Sequence, residues 1–195
     1  MALYKVTKKQ EGGGGGDTLP KIVYATSAPR GSTRPTLSYT FTESGTFQYY
    51  IFINARSGSI VSTDLTVSFN GTTITPTFYS VGAGFFYGEL NVSVDDIIST
   101  TPVNTNSDTG VQLFIMQNCD VSAFSIVGTA SNNNSTFTIS LGGKPYLQVF
   151  QSSFYASSNV FNYGIMDYVG VSIAVPNISK YYYGFTYVIQ LLPTS

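Results

Sequence analysis

Between Thr36 and Leu192, apolar and polar residues alternate in short runs broken by Asn, Gly and Ser. A period of two sends successive side chains to opposite faces of a strand. "TLSYTFT" (36–42) puts Leu37, Tyr39 and Phe41 on one face. "TFQYYIFIN" (46–54) puts Phe47, Tyr49, Ile51 and Ile53 on one face, with Tyr50 and Phe52 on the other. Apolar residues on both sides suit a strand inside a sandwich or at a subunit contact. "FFYGELNVSV" (85–94) alternates through Phe86, Leu90, Val92 and Val94. "VQLFIM" (111–116), "VSAFSIV" (121–127), "STFTISL" (135–141), "YLQVF" (146–150) and "GVSIAV" (170–175) continue the series. "KYYYGFTYVIQLL" (180–192) closes it, with Tyr181, Tyr183, Phe185, Tyr187, Ile189 and Leu191 on one face.

The sharpest local signal is "DLTVSFNGTTITPTF" (64–78). Leu65, Val67 and Phe69 alternate up to Asn70-Gly71, a pair suited to a type I′ turn because both central residues need positive φ. This segment predicts a hairpin. Pro76 has no N–H to donate, so the returning strand should be an edge or be bulged there. "DDIIS" (95–99) could make one helical turn, and almost no other helical periodicity is present. The pattern predicts an all-β fold, a β-sandwich or jelly roll of about ten short antiparallel strands.

Upstream of the strands the chain changes character. "KIVY" (21–24) reads as a short strand, and "ATSAPRGSTRP" (25–35) as loop. Gly12, Gly13, Gly14, Gly15 and Gly16 form an unbroken run. Glycine loses the most entropy on ordering, so this run should be a flexible joint. The expected organisation is an N-terminal peptide and linker over 1–20 and one β domain over 21–195.

Composition changes the picture in one respect. Charged residues are 10% of the 195, against about 25% in an average soluble domain. Ser (24), Thr (23) and Asn (12) supply the polarity instead. Residues 1–34 carry six bases against two acids, and residues 35–195 three bases against eight acids. The weakly acidic body offers no clustered Lys and Arg for nucleic acid. The basic head could meet an acidic partner or be a solvated tail.

Cys119 is the single cysteine, so no disulfide can form within the chain. "MALY" is too short for the apolar core of a signal peptide, and no run reaches the length of a membrane span. The expectation is a protein made in a reducing cytoplasm whose surface chemistry suits the outside, a combination that a virion protein reconciles, as would secretion without a cleaved signal.

Candidate chemistry is sparse. Without His the common triads, HExxH zinc sites and the usual general base are absent. Cys119 reads as a small semi-buried side chain. Asp95 and Asp96 are adjacent and would face opposite ways if extended; Glu89, Asp108, Asp120 and Asp167 could pair with them only through folding. "NTNSDTG" (104–110) begins like a calcium loop at Asn104, Asn106 and Asp108, then fails, because Gly110 comes one place late and Ile115 stands where Glu should. Neither the glycine run nor "LGGKPY" (141–146) makes a phosphate loop. Asn70, Asn91, Asn133, Asn134 and Asn177 match the N-x-S/T pattern, as chance allows in so Asn/Ser/Thr-rich a chain. No catalytic residue, metal ligand or cofactor is expected.

Aromatic residues remain, 15 Tyr and 14 Phe. They serve cores, protein interfaces and glycan stacking. Tyr49, Phe52, Tyr181, Tyr183, Phe185 and Tyr187 are the interface candidates, because their segments carry more apolar surface than one sheet face needs and lysine is scarce as a guard.

The leader "MALYKVTKK", the "GGGGG" joint and the Thr/Ser/Asn-rich β body together resemble bacteriophage virion proteins of the tail, fibre or capsid-decoration kind. That resemblance implies a non-enzymatic structural component. Leu3, Tyr4, Lys5, Val6, Lys8 and Lys9 would dock on other virion proteins, and the β domain would project as a homo-oligomer, a trimer first. A glycan- or receptor-binding module on a virion or host surface is the alternative. An isolated glycosidase-like enzyme is the third reading.

Overall fold

The structure is a computed structural model that describes residues 20–28, 36–55, 60–80, 84–103, 109–130, 136–139, 145–151, 165–167, 171–174 and 185–193. The leader and glycine run (1–19), residues 104–108, Asn133, Asn134, Lys144, Asn177, Tyr181 and Tyr183 lie outside the described residues. The described chain is all-β, with a single 3-10 turn at Ser62–Asp64. Every strand ladder whose register is described is antiparallel. The fifteen strands fall into two compact units.

The first unit holds β1 (Lys21–Ala28), β2 (Leu37–Thr40), β3 (Gly45–Ala55), β4 (Leu65–Phe69), β5 (Thr72–Ile74), β6 (Thr77–Ser80), β7 (Gly84–Val92), β8 (Ile97–Pro102) and β9 (Thr109–Gln117). One sheet has the order β1-β9-β3-β7-β6 and the other β2-β8-β4-β5. With β6 set aside, the neighbours are nested in sequence: β4 with β5, β3 with β7, β2 with β8, β1 with β9. Successive strands lie in different sheets at β1–β2, β2–β3, β3–β4, β5–β6, β7–β8 and β8–β9.

The hydrophobic alternation explains what each face buries. Phe47, Tyr49, Ile51 and Ile53 of β3 join Phe86, Val111, Leu113 and Ile115 from flanking strands and Leu37, Leu65, Val67 and Ile98 from the second sheet in one core. The opposite face of β3 is buried as well. Gln48, Tyr50 and Phe52 are at most 5% exposed, as are Phe85, Gln112, Phe114 and Met116 beside them. β3, flanked by β9 and β7, is therefore buried on both faces, which matches its being apolar on both sides.

Neutral polar residues link several of the strands. The Ser68 and Ser99 hydroxyls face each other across β4 and β8 and share a hydrogen bond of 2.7 Å. Thr46 Oγ1 donates to Asn91 Oδ1 at 2.8 Å across β3 and β7. Cross-strand pairs of this kind stabilise a sheet locally, and they account for the use of Ser, Thr and Asn where Lys and Glu would be usual.

The hairpin at 64–78 forms as its sequence predicts. Asn70 and Gly71 have φ of 49° and 78°. β5 stops at Ile74 and β6 begins at Thr77, each at the edge of a different sheet. Pro76 lies in the switch between them, where no ladder needs its missing N–H.

Two expectations are corrected here. Ile97–Ser99 is not helical; it is the start of β8, which is paired on one side to β2 and on the other to β4. Asp95 and Asp96 form the turn before it, with Asp95 at φ 71°. The segment 25–35 is not loop from its start, since β1 continues to Ala28.

The second unit holds β10 (Cys119–Ala130), β11 (Thr136–Ile139), β12 (Pro145–Gln151), β13 (Ile165–Asp167), β14 (Val171–Ala174) and β15 (Phe185–Pro193). β10-β15-β12-β13 form one sheet and β11-β14 another. The pairs β12–β13, β11–β14 and β10–β15 are nested too. Among the described residues both units thus nest their strand pairs, four in the first and three in the second.

Candidate functional site

The densest polar arrangement gathers at one end of the first unit, where three connections meet. Asn70, in the β4–β5 turn, donates from Nδ2 to Asp96 Oδ1 at 2.8 Å and accepts at Oδ1 from the Ile97 N–H at 2.8 Å. Its own N–H donates to the Ile97 carbonyl at 2.8 Å. Asp96 Oδ2 accepts from the Ser93 N–H at 2.7 Å, and its carbonyl accepts from the Phe41 N–H at 2.9 Å. The Asp95 N–H donates to the Phe41 carbonyl at 2.8 Å. The β2–β3, β4–β5 and β7–β8 connections are thereby tied into one corner. The Ser93 N–H first, and the Asn70 carboxamide second, hold the Asp96 carboxyl below the usual carboxylate range. Val94 and Ile97, 54% and 45% exposed, are the apolar side chains beside this corner.

The other carboxylates are dispersed. Glu89 accepts from Gln48 Nε2 at 3.0 Å, and Glu43 from Gln117 Nε2 at 3.4 Å. Asp64 is buried, with Oδ2 accepting from the Val61 N–H at 2.8 Å. Asp120 lies in β10 and Asp167 in β13. Asp95 and Asp96 are not part of a strand; they sit in the turn before β8. Among the described residues no three His, Cys, Asp or Glu side chains gather to hold a metal ion. Cys119 is fully buried, and desolvation pushes its thiol up to about 12, so at neutral pH it stays protonated.

The interface candidates separate into three groups. Tyr49 and Phe52 belong to the interior, 3% and 5% exposed within the chain. Tyr49 packs in the shared core, and burial raises its phenol to about 12. Phe52 packs against Phe85 with ring centroids 4.5 Å apart, and edge-on to Phe114 at 6.0 Å. Both side chains are buried within the chain. Phe185 and Tyr187 lie in β15, whose backbone is paired to β10 on one side and β12 on the other. Tyr181 and Tyr183 lie outside the described residues, as do Leu3, Tyr4, Lys5, Val6, Lys8, Lys9 and the glycine joint.

One exposed aromatic escapes a reading based on the longest apolar runs. Tyr79, on the edge strand β6, is 49% exposed. Its signal in the sequence is the preceding Pro76, which marks an edge. β5 (TTI) and β6 (TFYS) contain no charged residue, so charge is not among the guards of these two edges against strand addition.

No family model, curated protein or solved structure matches the chain. No helix among the described residues is long and apolar enough to cross a membrane.

Proposed function

We propose that this protein is a non-enzymatic structural component of a bacteriophage particle. In this reading residues 22–117 form a jelly roll, a two-sheet sandwich made by rolling up a ribbon of nested strand pairs. The observation that carries it is the strand order: β1-β9-β3-β7 in one sheet against β2-β8-β4-β5 in the other. Jelly rolls recur in viral capsid and lectin domains, so the argument from fold to role is one of analogy. Antiparallel sheets linked by neutral side chains, with β3 buried on both faces, suit a scaffold.

Attachment falls to residues 1–11, with Gly12–Gly16 as the joint. Leu3, Tyr4 and Val6 give a short apolar segment able to add to a partner sheet, and Lys5, Lys8 and Lys9 face an acidic surface on another virion protein. Self-association, as a trimer, uses the uncharged edges β5 and β6. A glycine tether lets several weak anchors on one oligomer act together.

The test is deletion of residues 1–11 in the phage. A body that folds but stays off the particle supports the reading, and incorporation at the normal level overturns the anchoring role. The second reading, a glycan-binding module, is favoured by the exposed Tyr79 ring, since aromatic faces stack on sugars. Binding on a glycan array that is lost in Tyr79→Ala would select it.

A further inference from the structure

We propose that Asn70–Gly71 is a site of spontaneous covalent modification, a deamidation site held shut by the clamp that Asp96 and Ile97 place on the Asn70 carboxamide. This is the only Asn-Gly dipeptide in the chain. Asparagine side chains are among the thermolabile groups of proteins, and a following glycine leaves the attack path open. Gly71 is exposed, and a Cβ built on it would meet nothing within 4 Å.

The reaction needs only water. The Gly71 nitrogen bonds to Asn70 Cγ and gives up its proton. The Cγ–Nδ2 bond breaks, and ammonia leaves with that proton. Water then opens the cyclic imide at one of its two carbonyls, leaving aspartate or isoaspartate at position 70.

In the folded corner the carboxamide is committed elsewhere. Its oxygen holds the Ile97 N–H and its nitrogen holds the Asp96 carboxylate, both at 2.8 Å. Asn70 and Gly71 are also both fixed at positive φ. Cyclisation requires the turn to release these bonds, one of them to an ionised partner and so among the stronger kind. The rate of modification therefore reads how often the corner opens.

The product cannot close the corner again. Where Nδ2–H met Asp96 Oδ1, a carboxylate oxygen now meets a carboxylate. Isoaspartate in addition inserts a methylene into the backbone of a two-residue turn and shifts the β4–β5 register. Asp96 also anchors Ser93 and Phe41, so the damage reaches the β7–β8 and β2–β3 connections. The corner is a one-way latch.

The test follows full-length protein during incubation at neutral pH, with peptide mapping by mass spectrometry and an isoaspartate assay. Wild type is compared with Asp96→Ala and with wild type in denaturant; Asn91 and Asn118 serve as internal controls. Conversion at position 70 should be slow in native wild type, several-fold faster in Asp96→Ala, and fastest in the denatured chain. Equal rates in native wild type and a folded Asp96→Ala, or no conversion at position 70 in the denatured chain, overturn the proposal. Asn70→Asp, which carries the product charge from the outset, tests the latch should Asp96→Ala fail to fold. Its melting point should lie below that of wild type at neutral pH, and the gap should narrow as pH falls through the carboxylate range. A gap unchanged by pH would refute the repulsion between positions 70 and 96.

Discussion

The Tyr49 ring lies directly over Gly88, its cross-strand partner in β7. A Cβ built on Gly88 would stand 2.5 Å from Tyr49 Oη and 2.7 Å from Cζ. The ring occupies the space that any other residue at 88 would need, and with Tyr49 only 3% exposed it has nowhere to swing. Gly88→Ala should therefore destabilise the protein by about 1–3 kcal/mol, the usual cost of overpacking a core. Denaturant titration followed by tyrosine fluorescence measures it; an unchanged midpoint would mean that the ring moves aside freely.

Gly71→Ala should destabilise for a different reason. Its Cβ has open space, but Gly71 sits at φ 78°. The cost should be about 1–2 kcal/mol, that of holding an L-residue in the left-handed region. Asparagine tolerates that region better than other residues with a Cβ, so Gly71→Asn should recover part of the loss in the same titration. For Gly88 the order should reverse, with asparagine worse than alanine, because space is what is missing there.

Alkaline pH should unfold the first unit through its buried phenol. Burial moves Tyr49 from an ordinary 10.0 to about 12, and Tyr87 is raised by the same cause. The folded state binds the Tyr49 proton more tightly than the unfolded chain does. This contribution to stability is therefore complete below pH 10 and is lost as pH rises from 10 towards 12. Thermal melts across that interval should show a falling midpoint, with a shallower fall in Tyr49→Phe. Equal slopes in the two proteins would remove Tyr49 as the cause.

Cys119 should resist thiol reagents in the native protein. It is fully buried and its thiol is raised from 9.0 to about 12 by desolvation. Labelling at neutral pH should proceed only on denaturation, with one equivalent per chain. Rapid labelling of the native protein would show that this part of β10 opens readily.

Much of the strand pattern is legible in the sequence because alternation records burial directly. β3 shows this best: apolar residues on both sides mark a strand covered on both faces. The Asn70–Gly71 turn is legible because so few residues tolerate positive φ. β8 is missed, since Asp95-Asp96 before Ile97 imitates a helix start while in fact making a turn. The burial of Tyr49 and Phe52 is legible as a surplus of apolar side chains, but what covers them is not, because such a surplus looks the same in the sequence whether the chain or a partner supplies the cover. The corner around Asp96 is not legible at all. It depends on contacts 26 and 27 residues apart along the chain, and no local pattern carries those.

Nested pairing also implies an order of events in time. β4 and β5 need only a two-residue turn to meet, whereas β3–β7, β2–β8 and finally β1–β9 close ever longer stretches of chain. Closure entropy grows with the length enclosed unless an inner pair has already shortened the path. The first unit is thus expected to assemble from the middle of its sequence outwards, each pair bringing the next within reach. The Asn70–Gly71 turn, at the centre of the nest, is where that assembly begins, and the meeting of β1 with β9 is where it ends.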